Sequence, residues 1–329
     1  MKRSVIVAAL AALIGPAAGG TLDEVRARGV LNCGVNGHFP GFSTSDSRGL
    51  WTGFEVDHCR AYAAAALNDA EKVKYVKVAG IDRFIALQSG NIDVLLANTT
   101  WSNEWEARFD LPATDPIFFD GQGFLVRKAL RIAGVADLAR RSICVERGTI
   151  SELNLTDYFG SSIRTLAFID RDEALKAYGA GNCDALTGNQ SSLYVARLSL
   201  GRADEHVVMP DLISRIPLSP FVRQGDDIWF NIIRWVHFAM VEAEALGITR
   251  TNADRYIDSN DSNIKPLFQS NTSVRWGLTS DWAYRVVKQV GNYGEVFDEN
   301  SGLHSPFAMA RGLNDLWTKG GLYYPSRFR

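Results

Sequence analysis

The sequence predicts an α/β fold of two similar lobes, each a doubly wound sheet in which strands alternate with helices. Three observations carry that reading. Apolar, strand-like runs alternate with segments of helical spacing from residue 30 to about residue 110. An extended, glycine-bearing stretch follows at Gly121-Gln122-Gly123-Phe124-Leu125-Val126-Arg127. The βα alternation then starts again, so the same architecture is built twice.

The chain opens Met1-Lys2-Arg3, runs apolar from Val5 to Ile14 and reaches Ala17-Ala18-Gly19-Gly20 before the polar Thr21. That order of basic, apolar and small residues is a secretory leader, expected over residues 1–20 with cleavage near Gly20, and it is too short to span a bilayer. Export of the mature chain follows. Formal charge is 35 − 37 = −2, and loss of Lys2 and Arg3 leaves −4. Such mild acidity without a basic cluster argues against nucleic acid or anionic lipid as a partner.

Residues 21–28 read as a short amphipathic helix and residues 30–35 as the first strand. A loop rich in glycine and aromatics follows over residues 36–43. Residues 51–62 lead into an alanine-rich helix, residues 73–78 alternate as a strand, and residues 83–89 have helical spacing closed by Gly90. The run Ile92-Asp93-Val94-Leu95-Leu96 reads as a buried strand. Asn98-Thr99-Thr100 stands at its C-terminal end, and Ser102 caps a helix after it. That edge of an open α/β sheet is where ligands sit, and a capped helix start adds free N–H groups. In the second series, residues 136–140 and 171–180 read as helices, 142–145 and 183–187 as strands, 148–152 as a loop and helix start, and 188–191 as another strand-end loop. A second crossing is expected near residues 207–217. Beyond Asp226, residues Trp229, Ile232, Ile233, Val236 and Met240 have helical spacing, and the last third is helical. The expected division is lobe 1 at 21–122, lobe 2 at 123–212, and a return to lobe 1 with a C-terminal extension at 213–329.

The four cysteines fit no zinc spacing, and export favours disulfides. Cys33 lies in the first strand and Cys59 in the first helix, while Cys144 and Cys183 fall in the middle third, so Cys33–Cys59 and Cys144–Cys183 are the expected pairs. The five histidines, His38, His58, His206, His237 and His304, have no metal spacing. No nucleophile elbow, phosphate loop or dinucleotide fingerprint is present, so neither metal nor cofactor is expected. Asp226 and Asp227 read as helix-start residues. What remains is binding chemistry.

Several runs carry a resemblance: Asn32-Cys33-Gly34-Val35, Trp51-Thr52-Gly53-Phe54-Glu55-Val56-Asp57, Asp82-Arg83-Phe84, Asn98-Thr99-Thr100-Trp101, Asp120-Gly121-Gln122-Gly123-Phe124, Gly291-Asn292-Tyr293-Gly294-Glu295 and Ala310-Arg311-Gly312-Leu313-Asn314. Together they resemble the general L-amino-acid-binding periplasmic proteins, receptors of polar amino acid ABC importers, over nearly the whole mature chain. The resemblance implies a type II periplasmic binding fold whose two lobes, joined by two hinge crossings, close over one small solute and deliver it to a membrane permease. A monomer that binds without catalysis is expected.

Carried over residue by residue, the resemblance assigns ligand-facing positions to Asn98, Thr99 and Thr100, and the carboxylate-binding arginine falls on Trp105. The second-lobe amide loop falls on Gly148-Thr149-Ile150, with Ile150 in place of a usual threonine. The aspartate that holds the ligand ammonium falls on Asn189. Arg108, one turn beyond Trp105, and Phe39 in the first loop complete the expected set. Loss of two charged partners weakens capture of a zwitterion by roughly 10²- to 10⁴-fold, so the ligand is expected to be an atypical amino acid, a derivative, or one held differently. Two other readings are a dehydratase-type enzyme on the same scaffold, with Glu146 and Glu152 flanking the second-lobe loop, and a sensor whose ligand site has decayed.

Overall fold

The computed structural model describes residues 19–269 and 271–328. Most of the expected leader, residues 1–18, lies outside them. Helix α1 (Thr21–Arg28) buries Leu22 and Val25 and stops where Gly29 turns left-handed at φ 72°. Strand β1 (Leu31–Val35) leads to a small antiparallel meander of β2 (His38–Phe39), β3 (Ser43–Ser45) and β4 (Trp51–Thr52). Helix α2 (Phe54–Leu67) follows; its alanines allow close packing against helices of the C-terminal third. Gly53 is obligatory at the join. Its φ is 137°, and a Cβ there would stand 2.1 Å from the Phe42 carbonyl oxygen.

The first-lobe sheet has the order β5 (Val73–Lys77), β1, β6 (Val94–Leu95), all parallel. Helix α3 (Asp82–Gln88) precedes β6, and α4 (Asn103–Phe109) follows it, capped by the Ser102 hydroxyl accepting from the Trp105 N–H at 3.3 Å. The ladder of β6 is shorter than its apolar run. Leu95 forms an antiparallel bridge with Phe221, and Ala97 and Asn98 then turn at φ 49° and 52°, so the chain leaves the sheet early.

Two strands cross between the lobes. Strands β7 (Phe118–Asp120) and β13 (Ile216–Leu218) pair antiparallel, Ile216 opposite Asp120. Gly121 follows β7 where the two crossings touch, and a Cβ on it would lie 2.5 Å from the Ser214 carbonyl oxygen.

The second-lobe sheet runs β10 (Arg164–Phe168), β9 (Ser142–Glu146), β11 (Ala185–Asn189), β8 (Gln122–Arg127), β12 (His206–Val208). Its first three strands are parallel, but β8 is antiparallel to both neighbours. The sheet is therefore mixed, because β8 enters from the crossing rather than from a helix. Helices α5 (Ile150–Phe159), α6 (Arg171–Gly179) and α7 (Gln190–Leu198) complete the lobe.

The last third is helical. Helix α8 (Asp227–Ala245) is capped by Asp226 and buries Trp229, Ile232, Ile233, Val236 and Met240 completely, each contributing about 1.5–3 kcal/mol. The one-turn helix α9 (Lys265–Phe268) is followed by α10 (Trp282–Gln289) and α11 (Tyr293–Asn300), the latter opened by an Asn292/Glu295 capping box. The extension also reaches the crossing. The Asn314 side chain accepts from the Phe119 N–H at 2.7 Å and donates to the Phe119 carbonyl at 2.9 Å. Beyond it, Arg197 of α7 donates to the Phe307 carbonyl at 2.7 Å, tying the second lobe to the extension.

Both disulfides form as expected, Cys33–Cys59 joining β1 to α2 and Cys144–Cys183 joining β9 to the approach of β11. Among the described residues, no helix is long and apolar enough to cross a membrane.

Candidate ligand cleft

The first-lobe half of the cleft is set by the end of β6. Asn98 donates its backbone N–H to Glu55 Oε1 at 2.5 Å, while both polar atoms of its side chain are buried without a partner. Thr99 turns its hydroxyl back to the Leu96 carbonyl, and Thr100 bridges Leu218 of β13. Arg83 reaches in from α3, donating to the Ala97 carbonyl at 3.2 Å and leaving a buried Nε unpartnered. Phe39 stacks on Phe42 with ring centroids 4.9 Å apart. Trp105 packs on Phe84 at 5.2 Å, and the Arg108 guanidinium lies 5.9 Å from the Trp105 ring. Helix α4 thus directs Trp105 into a small apolar cluster shared with Phe84 and Phe109.

Glu55 underlies this half. The first N–H groups of α2 donate to the Gly41 and Phe42 carbonyls, which seats the residue in the interior, 3% exposed. Its other oxygen accepts from the Ser43 hydroxyl at 3.1 Å, and Ser43 accepts from the Gly37 N–H. One carboxyl therefore links the loop at 37–43 to the loop at 97–100. Burial pushes its pKa up from 4.5 to about 7, partly offset by the Asn98 N–H.

The second-lobe half is a cavity of about 230 Å³ at the C-terminal ends of β9 and β11. Glu146, Thr149, Ile150, Ser151, Arg171, Thr187, Asn189 and Ser192 are among its lining residues. The Thr149 hydroxyl donates to the Glu146 carbonyl at 2.8 Å, and the Gly148 N–H donates to Glu152 at 2.7 Å, which shapes the loop before α5. Ile150 stands 65% exposed at the rim. Asn189 precedes α7 without using its side chain as a cap. Behind the wall, Gln122 donates to the Ser151 carbonyl and the Thr187 hydroxyl, both at 3.0 Å, and accepts from Asn154. At the crossing, buried Asp120 accepts from Ser191 and from the Gly121 N–H; burial raises its pKa, opposed by those bonds.

The structure thus gathers Thr149, Ile150 and Asn189 around one cavity and places Asn98, Thr99, Thr100, Trp105, Arg108 and Phe39 in the other lobe, outside that lining. Sequence reasoning missed Arg171 as a lining residue, and it weighed Glu146 only for catalysis. A usable signal was present for Arg171. It is the first residue of α6, where the helix macrodipole disfavours a cation. The histidines take structural places: His58 and His237 are buried in the core with centroids 5.9 Å apart, and His206 meets the Tyr178 hydroxyl at 2.6 Å. Among the described residues, no group of three or more His, Cys, Asp or Glu is arranged to hold a metal.

Two α/β lobes, two extended crossings and a polar cavity at the strand ends define a periplasmic binding protein of type II. Residues 31–270 match the bacterial extracellular solute-binding proteins, family 3, and the chain belongs to that family. It is 44% identical over 336 residues to the general L-amino acid-binding periplasmic protein AapJ of Rhizobium johnstonii, covering 98% of each chain. It is 42% identical over 340 residues to the glutamate/glutamine/aspartate/asparagine-binding protein BztA of Rhodobacter capsulatus, covering all of both. A solved periplasmic binding protein from Brucella ovis with glutathione bound superposes with a TM-score of 0.82 at 42% identity, covering 95% of this chain and 100% of that one.

Proposed function

We propose that this protein is the periplasmic receptor of an amino-acid-type ABC importer, capturing a small polar solute by lobe closure and releasing it to a membrane permease without chemical change. The observation that carries the reading is the polar cavity at the ends of β9 and β11, beside the β7/β13 crossing, in a chain matched end to end by amino-acid receptors. Closure would bring the Asn98–Thr100 loop over Thr149, Ile150 and Asn189. We take residues 21–122 and 213 onward as the first lobe with its extension and 123–212 as the second, because the chain passes between the sheets at Gly121 and between β12 and β13. The protein acts as a monomer, exported with cleavage near Gly20.

Differential scanning calorimetry against a panel of L-amino acids, betaines, organic acids and glutathione tests this. A bound solute at one hundred times its Kd stabilises by about 2.7 kcal/mol and raises the melting temperature accordingly. No response to any solute refutes the receptor reading. A solute recovered chemically altered after incubation refutes capture without turnover.

A further inference from the structure

The resemblance places the two ionic grips of the cleft at positions 105 and 189, and both are occupied by uncharged residues, Trp105 and Asn189. The second lobe nevertheless presents a separate pair of opposite charges. Strand β9 ends at Glu146, and Phe168, the last residue of the neighbouring β10, stands opposite it in register. Three residues after Phe168, Arg171 opens α6, so the two strand ends bring a carboxylate and a guanidinium to the same cavity of about 230 Å³. Arg171 is the single cation among the residues lining it.

Neither charge is neutralised by a salt bridge among the described residues. The Arg171 guanidinium donates one Nη2 bond, to the Ser192 carbonyl, and forms no ion pair within 4 Å among the described residues. The Glu146 carboxylate has no hydrogen bond or ion pair of its own among them; its backbone carbonyl alone is used, by Thr149. The guanidinium feels Asp172, its neighbour on α6, and then Glu146 across the cavity, and it closes to a salt bridge with neither. A cation at the first position of a helix opposes the macrodipole, so α6 itself gives no reason for Arg171 to stand there. Held apart and aimed at one space, Arg171 and Glu146 match a ligand whose own charges are opposite and separated. Asn189, in the same lining, supplies a neutral donor and acceptor.

We propose that Arg171 and Glu146 are the ionic grips of this cleft, Arg171 taking the carboxylate and Glu146 the ammonium of a zwitterionic α-amino acid group. This rests on the receptor reading above and specifies its ligand class: a free α-amino acid or a γ-glutamyl-type derivative that keeps both charges. The zwitterion is held on the second lobe, and the first lobe closes over it with Asn98 and the backbone rather than with a cation.

The test is isothermal titration of the full-length mature protein with L-glutamine, L-glutamate and glutathione, for the wild type and for Arg171→Gln, Arg171→Lys and Glu146→Gln. All three substitutions lie at a solvent-accessible rim, and the melting temperature of the unliganded protein should stay within a few degrees. Each Gln variant should weaken binding about 10- to 100-fold, with Arg171→Lys in between. Glutaramic acid, which is glutamine without its α-ammonium, should lose sensitivity to Glu146→Gln and keep sensitivity to Arg171→Gln. Wild-type binding of an amino acid with unchanged affinity in both Gln variants overturns the assignment and leaves the receptor reading standing. Binding only of solutes without an ammonium also overturns it. Failure to bind any solute of the wider panel overturns both.

Discussion

Glu55→Gln isolates one buried charge and has a calculable consequence. In the folded chain the Glu55 carboxyl titrates near pH 7, against 4.5 when exposed, because burial outweighs the bonds from Asn98 and Ser43. Between pH 4.5 and 7 the folded state keeps a proton that the unfolded state has released, so stability from this group is full at low pH and is lost as pH rises through about 7. The difference between 4.5 and about 7 is worth about 3 kcal/mol. Glutamine keeps the shape and cannot titrate. The groups that face Glu55, Arg83 and Tyr62, are present in both proteins. Buried Asp57, Asp93 and Asp120 slope in the same direction, and His58 and His237 oppose them, but all cancel in the difference between variant and wild type. The assay is urea unfolding followed by tryptophan fluorescence from pH 4.5 to 8. Wild-type stability minus variant stability should fall by about 3 kcal/mol over that range, most steeply between pH 5 and 7. A difference that stays flat within about 0.5 kcal/mol refutes the account of Glu55 as a buried carboxyl gripping two loops.

His58 should act in the opposite sense: burial lowers its pKa from 6.5 to about 4, so acidification from pH 6.5 to 4.5 costs about 2 kcal/mol, a loss that His58→Leu should abolish in the same unfolding assay. Reducing the disulfides should destabilise each lobe, since bridges spanning 26 and 39 residues restrict the unfolded chain by about 3.5 and 4 kcal/mol, measured as the shift in urea midpoint with dithiothreitol. Gly53→Ala should cost about 3 kcal/mol or more, because the new methyl meets the Phe42 carbonyl and φ is 137°; a thermal melt within two degrees of wild type would contradict the geometry. Asn189→Asp adds an anion beside the cavity and should tighten zwitterion binding about tenfold by titration calorimetry, with no gain for glutaramic acid.

Much of the architecture was legible because its causes are local. Helix α1 follows from its apolar spacing and Gly29; α8 follows from five apolar residues on one face behind an aspartate cap; α4 follows from the Ser102 hydroxyl. The cysteine pairs were readable too, since each joins two neighbouring elements of one lobe. The loop before α5 was also legible, marked by the turn residue Gly148, whereas residues 188–191, read as a loop, are the end of β11 and the start of α7. Pairing partners distant in the chain were not. Strand β6 is shorter than its apolar run because the returning chain bridges Leu95 through Phe221, and β8 runs antiparallel because the crossing fixes its direction. Trp105 faces Phe84 by the orientation of α4, which no spacing along the chain reveals.

What the sequence determined by itself is therefore several helices, the caps at Ser102 and Asp226, and the two-lobed order, all governed by interactions within a few residues; β10, α7 and the β2–β3 pair inside the expected loop at 36–43 were not among them. Only the tertiary structure decided that Glu146 and Arg171, on separate strand and helix, share a cavity without pairing, and that Glu55 lies beneath two loops. Those placements depend on how strands register in a sheet and how helices pack upon it, and such contacts between remote residues leave no periodic trace along the chain.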